Sequence, residues 1–549
     1  MLRTSCFSAT CILIMTFSAS CFAQFSTHYT KNGLSINSSF GASVSTAGDV
    51  NGDGFTDFIV GAPLNDFNGI NDGAMFVYSG LTGALIYSRA GLSGDQYGLS
   101  VSDAGDVNAD GFDDFIVGAP FDDTNGPAAG AAYLYSGATG NLLYAIGGLT
   151  GDNFGTSVSG AGDVNADGFD DFIIGSPRNG AGGTDSGSIY VYSGINGAFL
   201  FTKFGFAGDQ LGRAVSAAGD VDADGYDDVI VGSPFNDFGG TDAGAAYIFS
   251  GLTSSILFSK AGTLGSNFGW SVDGTGDVNR DGFDDVIVGS PVTGTAGPNS
   301  GASFVYSGID ASQLYSNIGN SGDLFGWSVA GAGDVNGDGF ADFIVGAPLN
   351  DGAANNGGAI AIYSGIDGAL LSTAAGAGAG NNLGYSVDGA GIINFDQFND
   401  VIVGSPGVST GAVPGTAQVF TAPALPTLNY NSDIGPTTLT LDWLPDASDP
   451  FSLTGTLTCA GATPGGIGQF GVSLGPANTL IFGFPLLIGI DPVNLIDMGS
   501  LGYSFTGDAV IPNVTRQYPS LAGAFVFIQF YEVSPLIKGS NGIALLLSS

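Results

Sequence analysis

One nine-residue pattern, DxNxDGxxD with a single DxDxDGxxD variant, returns six times along the chain. Its first aspartate falls at Asp49, Asp106, Asp163, Asp220, Asp277 and Asp334, each 57 residues after the one before. A seventh, degraded copy, GIINFDQFNDVIVGSP, puts Ile392 in that slot, 58 residues further on. Fixed periods of this size belong to solenoids, propellers or linear arrays of modules.

One period resolves into four short strands. In the second copy these are GLSVSDAGDV, DFIVGAP, AAYLYSG and NLLYAIGG, each rich in β-branched or aromatic residues and bounded by Gly, Asn or Pro. Four antiparallel strands per repeat make a propeller blade, and seven blades lie in the usual range. A β-solenoid needs a shorter period, and a string of modules needs linkers that are not there. The expected fold is therefore all-β, a seven-bladed propeller of four-stranded blades. The seventh copy ends after GTAQVFTAP without a clear fourth strand. HYTKNGLSINSSFG, from His28, matches IYSRAGLSGDQYG, from Ile86, so the N-terminal strand is expected to complete the last blade.

The residues flanking each loop carry a family resemblance. Phe40-Gly41 precedes the first loop and Gly61-Ala62-Pro63 follows it; Tyr97-Gly98 and Gly118-Ala119-Pro120 do the same in the next copy. The pattern resembles the FG-GAP repeat of the integrin α-subunit β-propeller and its bacterial relatives, over roughly residues 25–424. The resemblance implies a seven-bladed propeller with calcium in hairpin loops. It implies no single activity, since the repeat occurs in adhesion receptors and beside catalytic domains. It also implies that ligands bind the face opposite the calcium loops.

The loops have their own chemistry. In DVNGDGFTD the side chains of Asp49, Asn51, Asp53 and Asp57 can converge on one centre, with the carbonyl of Phe55 able to join. Hard oxygen donors on a flexible loop suit calcium, and the absence of His and Cys from every loop argues against zinc or copper. The later copies offer Asp106, Asn108, Asp110, Phe112 and Asp114; Asp163, Asn165, Asp167, Phe169 and Asp171; and Asp220, Asp222, Asp224, Tyr226 and Asp228, one carboxylate richer. They continue with Asp277, Asn279, Asp281, Phe283 and Asp285, and with Asp334, Asn336, Asp338, Phe340 and Asp342. The seventh keeps Asn394, Asp396 and Asp400 but lacks the first Asp and the Gly, so it is expected to bind weakly or not at all. Six structural calcium ions would neutralise twelve of the forty net negative charges, and binding only the folded state stabilises it. Asp113, Asp170, Asp227 and Asp284, beside these ligands, read as solvated.

Alternating strand direction sorts the connections by face. The Asp loops and the YSGxxG turns share one side. The other holds the sequences after GAP or GSP, which vary: LNDFNGINDG, FDDTNGPAAG, RNGAGGTDSG, FNDFGGTDAG. Constant loops on one face and variable loops on the other fit a scaffold with a recognition surface, though unselected drift gives the same pattern. Trp270 and Trp327, each after a Phe-Gly, read as blade packing.

Charge and composition narrow the function. A net charge of −40 from 50 acidic and ten basic residues excludes a phosphate-binding surface, hence nucleic acid. His28 is the only histidine, which leaves Ser-His or Cys-His catalysis almost no material. Two GxSxG matches, at Ser409 and Ser473, are what chance provides in a chain with 94 glycines. Carboxylate-only hydrolysis stays open.

The N-terminal MLRTSCFSATCILIMTFSASCFAQ reads as a secretory leader, residues 1–23, cleaved after Ala23. No other segment reads as a membrane span. Of four cysteines, Cys6, Cys11 and Cys21 leave with it, and Cys459 alone forms no intramolecular disulfide. The repeat region takes residues 24–424; residues 425–549, with TTLTLDWL, NTLIFGFPLLIGI and GAFVFIQFYEV, read as a small β-sandwich. The expectation is an exported, calcium-stabilised, non-catalytic module binding an extracellular protein or glycan, in an undetermined oligomeric state. The alternatives are a secreted calcium-dependent polysaccharide hydrolase or lyase, and a purely structural surface protein.

Overall fold

The computed structural model describes residues 26–396, 398–407 and 414–421, together with the backbone of strands at 15–16 and between 438 and 548. The rest of the expected leader, Gln397, Ser409 and the segment 422–437 lie outside the described residues. The chain divides into two compact units, one of residues 24–336 and 340–422, the other of residues 1–23, 337–339 and 423–549.

The first unit is a ring of seven four-stranded antiparallel sheets. The first blade runs Ser43–Gly48, Asp57–Ala62, Ala74–Tyr78 and Leu85–Ala90 from the inside outwards. Five further blades repeat it, beginning at Ser100, Ser157, Ala214, Ser271 and Ser328. The seventh has Ser386–Gly391, Asp400–Ser405 and Thr416–Thr421, and its fourth strand is Ser26–Asn32, paired antiparallel to Thr416–Thr421. The innermost strands neighbour one another in succession, and the strand from Ser386 returns to the one from Ser43, so the ring closes.

The burial pattern explains the sequence. Each second strand, such as DFIVGA in Asp57–Ala62, is buried at all six positions, which is why it reads as a continuous apolar run rather than an alternation. Each outermost strand, such as LIYSRA in Leu85–Ala90, is half-exposed. Among the described residues the core splits into seven apolar clusters, one per blade interface. Ala47, Val50, Ile59, Met75 and Val77 of the first blade, for example, meet Tyr97, Val101, Phe115 and Val117 of the second. Stacked aromatic pairs recur on the same rows, Phe115–Tyr135 and Phe172–Tyr192 among them. No blade buries its faces alone.

In the second unit, Thr438–Asp446 pairs with Asp449–Ala460, and Phe525–Glu532 with Asn541–Ser548. Gly466–Leu474 pairs with Thr479–Ile488, whose other edge takes Met15–Thr16. Among the described residues no helix is long and apolar enough to cross a membrane.

Candidate metal loops and the opposite face

Each Asp loop connects the innermost strand of a blade to its second strand. The innermost strand ends in a bulge, with the register shifting between Thr46 and Gly48 against Asp57. The loop then needs two left-handed residues. At position four these are Gly52, Ala109, Ala166, Ala223, Arg280 and Gly337, and at position six always a glycine, from Gly54 to Gly339. At Gly54, Gly111, Gly168, Gly225 and Gly282 an added Cβ would meet nothing within 4 Å, so the glycine serves backbone conformation alone.

These turns gather the expected ligands. Asp49 accepts the N–H of Asp53 on Oδ1 (3.0 Å) and that of Gly54 on Oδ2 (2.8 Å), and Asp53 Oδ1 accepts the N–H of Phe55. The same three bonds recur with Asp106, Asp163, Asp220 and Asp277 as the first acceptor. The ninth position is fully buried: Asp57, Asp114, Asp171, Asp228, Asp285 and Asp342 lie beneath the loop. Asp57 accepts the Gly80 N–H at 2.9 Å and the amide of Asn51. The sixth loop keeps this floor, with Asp342 accepting the N–H groups of Val335 and Gly365, while Asn336 and Asp338 stand in the same slots.

Electrostatics follow from this crowding. Burial, reinforced by the carboxylates at positions one and five, pushes Asp57, Asp114, Asp171 and Asp285 up to about 7. Asp228 rises to the same value from burial and from Asp222 and Asp224. A set of carboxylates that resists ionisation in its own company suits a divalent cation, which would supply the missing positive charge. The fourth loop fits best: oxygens of Asp220, Asp222 and Asp224 lie within 4.8 Å of one another, and the buried Oδ1 of Asp222 has no hydrogen-bond partner. The phenyl rings at position seven have a role beyond their carbonyls. Phe112 packs over Gly52, Arg280 stacks on Phe340 at 4.4 Å, and Phe55 meets Phe395 at 4.7 Å.

The seventh loop keeps the scaffold without the first carboxylate. Asn394 donates to Asp400 at 2.9 Å, Asp396 accepts the Phe398 N–H, and Ile392 contributes only its carbonyl, to the Thr56 N–H.

One reading of the sequence needs correction and a second needs sharpening. Asp113, Asp170, Asp227 and Asp284 are not solvated bystanders: each carboxylate accepts the N–H of the first aspartate in the preceding loop, Asp49, Asp106, Asp163 and Asp220, at 2.6–3.1 Å. Glycine precedes that aspartate on two counts: the position is left-handed (φ 64° at Gly48), and a Cβ there would sit 2.2 Å from the Asp113 side chain. The loops are thus latched blade to blade. Ala341 breaks the series at the fifth blade, since it has no carboxylate to offer. Trp270 and Trp327 do pack blade to blade, as expected, but at the rim rather than in the buried core, which is what the sequence did not show. They lie half-exposed against each other, at 4.9 Å, outside the seven clusters. Both features join adjacent blades, the latch at a separation of 64 residues and the tryptophan pair at 57.

On the face away from the Asp loops, the connections into the first five blades carry large apolar residues in the open, whereas those into the sixth and seventh have Asn320 and Ala377 in that place. Leu92 is 68 % exposed, Leu149 72 %, Phe206 77 % and Leu264 73 %. Phe238, on the variable loop after Pro234, is 90 % exposed.

With fold and loops described, the class is clear: six FG-GAP repeats, matched at residues 40–78, 100–135, 154–192, 211–249, 268–306 and 325–363, build an integrin α-like FG-GAP β-propeller. The chain is 31 % identical to integrin alpha-5 of Xenopus laevis over 217 residues, which is 35 % of this chain and 20 % of that protein. It is 31 % identical to integrin alpha-V of Gallus gallus over 227 residues, 36 % of this chain and 20 % of the relative. Integrin alpha-2 of Mus musculus is 35 % identical over 198 residues, 32 % of this chain and 16 % of the relative. The chain thus spans a fifth or less of the length of these relatives.

Proposed function

We propose that this chain is an exported, calcium-binding propeller that acts as a non-catalytic binding or adhesion module for extracellular protein or glycan ligands. The observation that carries this reading is the difference between its two faces. One holds six near-identical Asp loops, the first five latched in series, and the other holds variable loops with apolar residues in water. Isolated exposed leucines are unremarkable, but the recurring set at Leu92, Leu149, Phe206 and Leu264, more exposed than Ile195, Leu252, Ile309 and Ile366 on the turns of the Asp-loop face, has the character of an interaction surface. In this reading calcium is structural, held by the aspartates and asparagines of loops one to six, and the loop of Asn394, Asp396 and Asp400 stays weak. The leader ends at Ala23 and residues 425–549 form a separate β-module. The similarity to integrin alpha chains supports the adhesion reading over a catalytic one, and so does the scarcity of histidine.

Calorimetry on metal-stripped protein tests the calcium half: about six ions with a large rise in Tm are expected, and one or two ions with little stabilisation would overturn it. Binding to arrays of extracellular-matrix proteins and glycans tests the other half. Leu149→Asp and Phe206→Asp are expected to abolish the signal with Tm unchanged. A wild-type chain that binds nothing would leave a purely structural surface protein.

A further inference from the structure

The residue immediately after each Phe-Gly pair, or the Tyr-Gly or Leu-Gly that stands in its place, occupies an equivalent seat where an innermost strand begins. The seats are Ala42, Leu99, Thr156, Arg213, Trp270, Trp327 and Tyr385, and each backbone N–H is held by the carbonyl three residues earlier, at 3.0–3.2 Å. That earlier residue is left-handed in all seven. The ring of seats therefore rims the propeller axis on the face away from the Asp loops, rigidly and once per blade. Its filling is lopsided. Three consecutive blades offer Ala, Leu and Thr, and the other four offer Arg, Trp, Trp and Tyr. Two of the three tryptophans in the chain and one of its ten cationic residues are in that row.

The row is continuous. The Arg213 guanidinium lies 4.9 Å from the Trp270 ring, Trp270 lies 4.9 Å from Trp327, and Trp327 lies 5.5 Å from Tyr385, the two ring pairs tilted by 46° and 49°. All four side chains also carry donors: a guanidinium, two indole N–H groups and a phenol O–H. No described residue supplies an acceptor to any of them, and none is sealed from solvent. In a protein of net charge −40, a half-buried guanidinium with no carboxylate beside it is unusual, since buried donors left without acceptors are costly.

We propose that this row binds an acidic glycan, with a uronate carboxylate on Arg213 and sugar hydroxyls along the two indoles and Tyr385. The row curves round the axis, with Arg213 and Tyr385 within electrostatic reach of each other, and a compact group of donors calls for several acceptors on one ligand. A uronate chain has them at every residue, whereas a single acidic side chain has one. Guanidinium–carboxylate pairing supplies orientation as well as affinity. The proposal rests on the binding-face reading above and names the ligand class for its central part.

The test uses the full mature chain saturated with calcium and three probes: a hyaluronan oligosaccharide, a neutral dextran oligomer and a poly-glutamate peptide. Tryptophan fluorescence and calorimetry are the readouts. The hyaluronan oligosaccharide is expected to bind and perturb the fluorescence, with dextran weaker. Arg213→Gln is expected to weaken it about tenfold or more. Tyr385→Phe, which removes one hydroxyl and leaves packing intact, is expected to weaken it a few-fold. Equal binding of poly-glutamate would overturn the glycan in favour of an acidic protein segment. Binding unchanged in both variants, or no binding of hyaluronan, would overturn the site. If array binding in that case still responded to Leu149→Asp, the wider binding-face reading would survive and this subsite alone would fall.

Discussion

A glycine in this chain can be required for two separable reasons, and neighbouring positions of one loop separate them. Gly111 is left-handed (φ 87°) with open space around its missing Cβ, whereas Gly105 (φ 67°) faces the Asp170 carboxylate at 2.2 Å. Gly111→Ala should cost only the left-handed conformation, about 1–2 kcal/mol. Gly105→Ala carries the same penalty and also displaces the carboxylate from the Asp106 N–H, so about 1–3 kcal/mol more is expected. Chemical denaturation of the two variants under calcium saturation measures the difference; equal losses would mean that the latch between loops contributes nothing. Asp170→Ala isolates the latch: it should lower stability by about 1–3 kcal/mol while calcium still binds the loop of Asp106. The convergence of the candidate ligands in each turn was legible from spacing, because such a loop is local. The latch was hidden, because Asp113 and Asp49 are 64 positions apart and only the ring brings them together.

Strands pose a different problem, since a blade is complete only when its edge is covered. Ser26–Asn32 covers the edge of Thr416–Thr421, and Tyr29 and Lys31 reach across to the carbonyls of Leu81 and Gly83 in the first blade. One strand thus joins the last blade to the first. Truncation to residue 33 should lower Tm and leave a bare edge that recruits a second chain. Light scattering after size exclusion is expected to report dimers or larger species, and a monomer with wild-type Tm would refute the role. Strand positions could be read from the sequence because DFIVGA and its equivalents are buried on both faces and contain no helix formers at helical spacing. The match of HYTKNGLSINSSFG to IYSRAGLSGDQYG likewise pointed to the closing strand. That Trp270 and Trp327 pack at the rim rather than in the buried core was not legible, for a physical reason. An aromatic beside a Phe-Gly is apolar whether it fills an interface or a rim, and only the turn that fixes its seat decides which.

At the scale of the whole ring, the central question is why so many carboxylates tolerate one another. Asp57, Asp114, Asp171, Asp228 and Asp285 are raised from the ordinary carboxylate range to about 7 when no cation balances them. A group whose pKa is higher folded than unfolded contributes stability below the unfolded value, near 4, and that contribution is lost as pH rises through the folded value. Stripped protein should therefore melt at its highest temperature near pH 4–5 and lose Tm steadily up to pH 7 and slightly beyond. Calcium competes with those protons, so the increment in Tm from added calcium should be small at pH 5 and largest above pH 7. Inner-strand carboxylates supply an internal control. Burial also raises Asp103, Asp273 and Asp388, with Asp388 raised further by Asp273, and these lie outside the loops. Calcium bound in the loops does not relieve them, so a residual fall in Tm with pH should persist in the saturated protein and shrink in Asp388→Asn. Melting curves at half-unit pH steps, stripped and saturated, test both terms. A calcium increment independent of pH would mean that the loop carboxylates are ionised without the ion, and a structural role for calcium in these loops would fail.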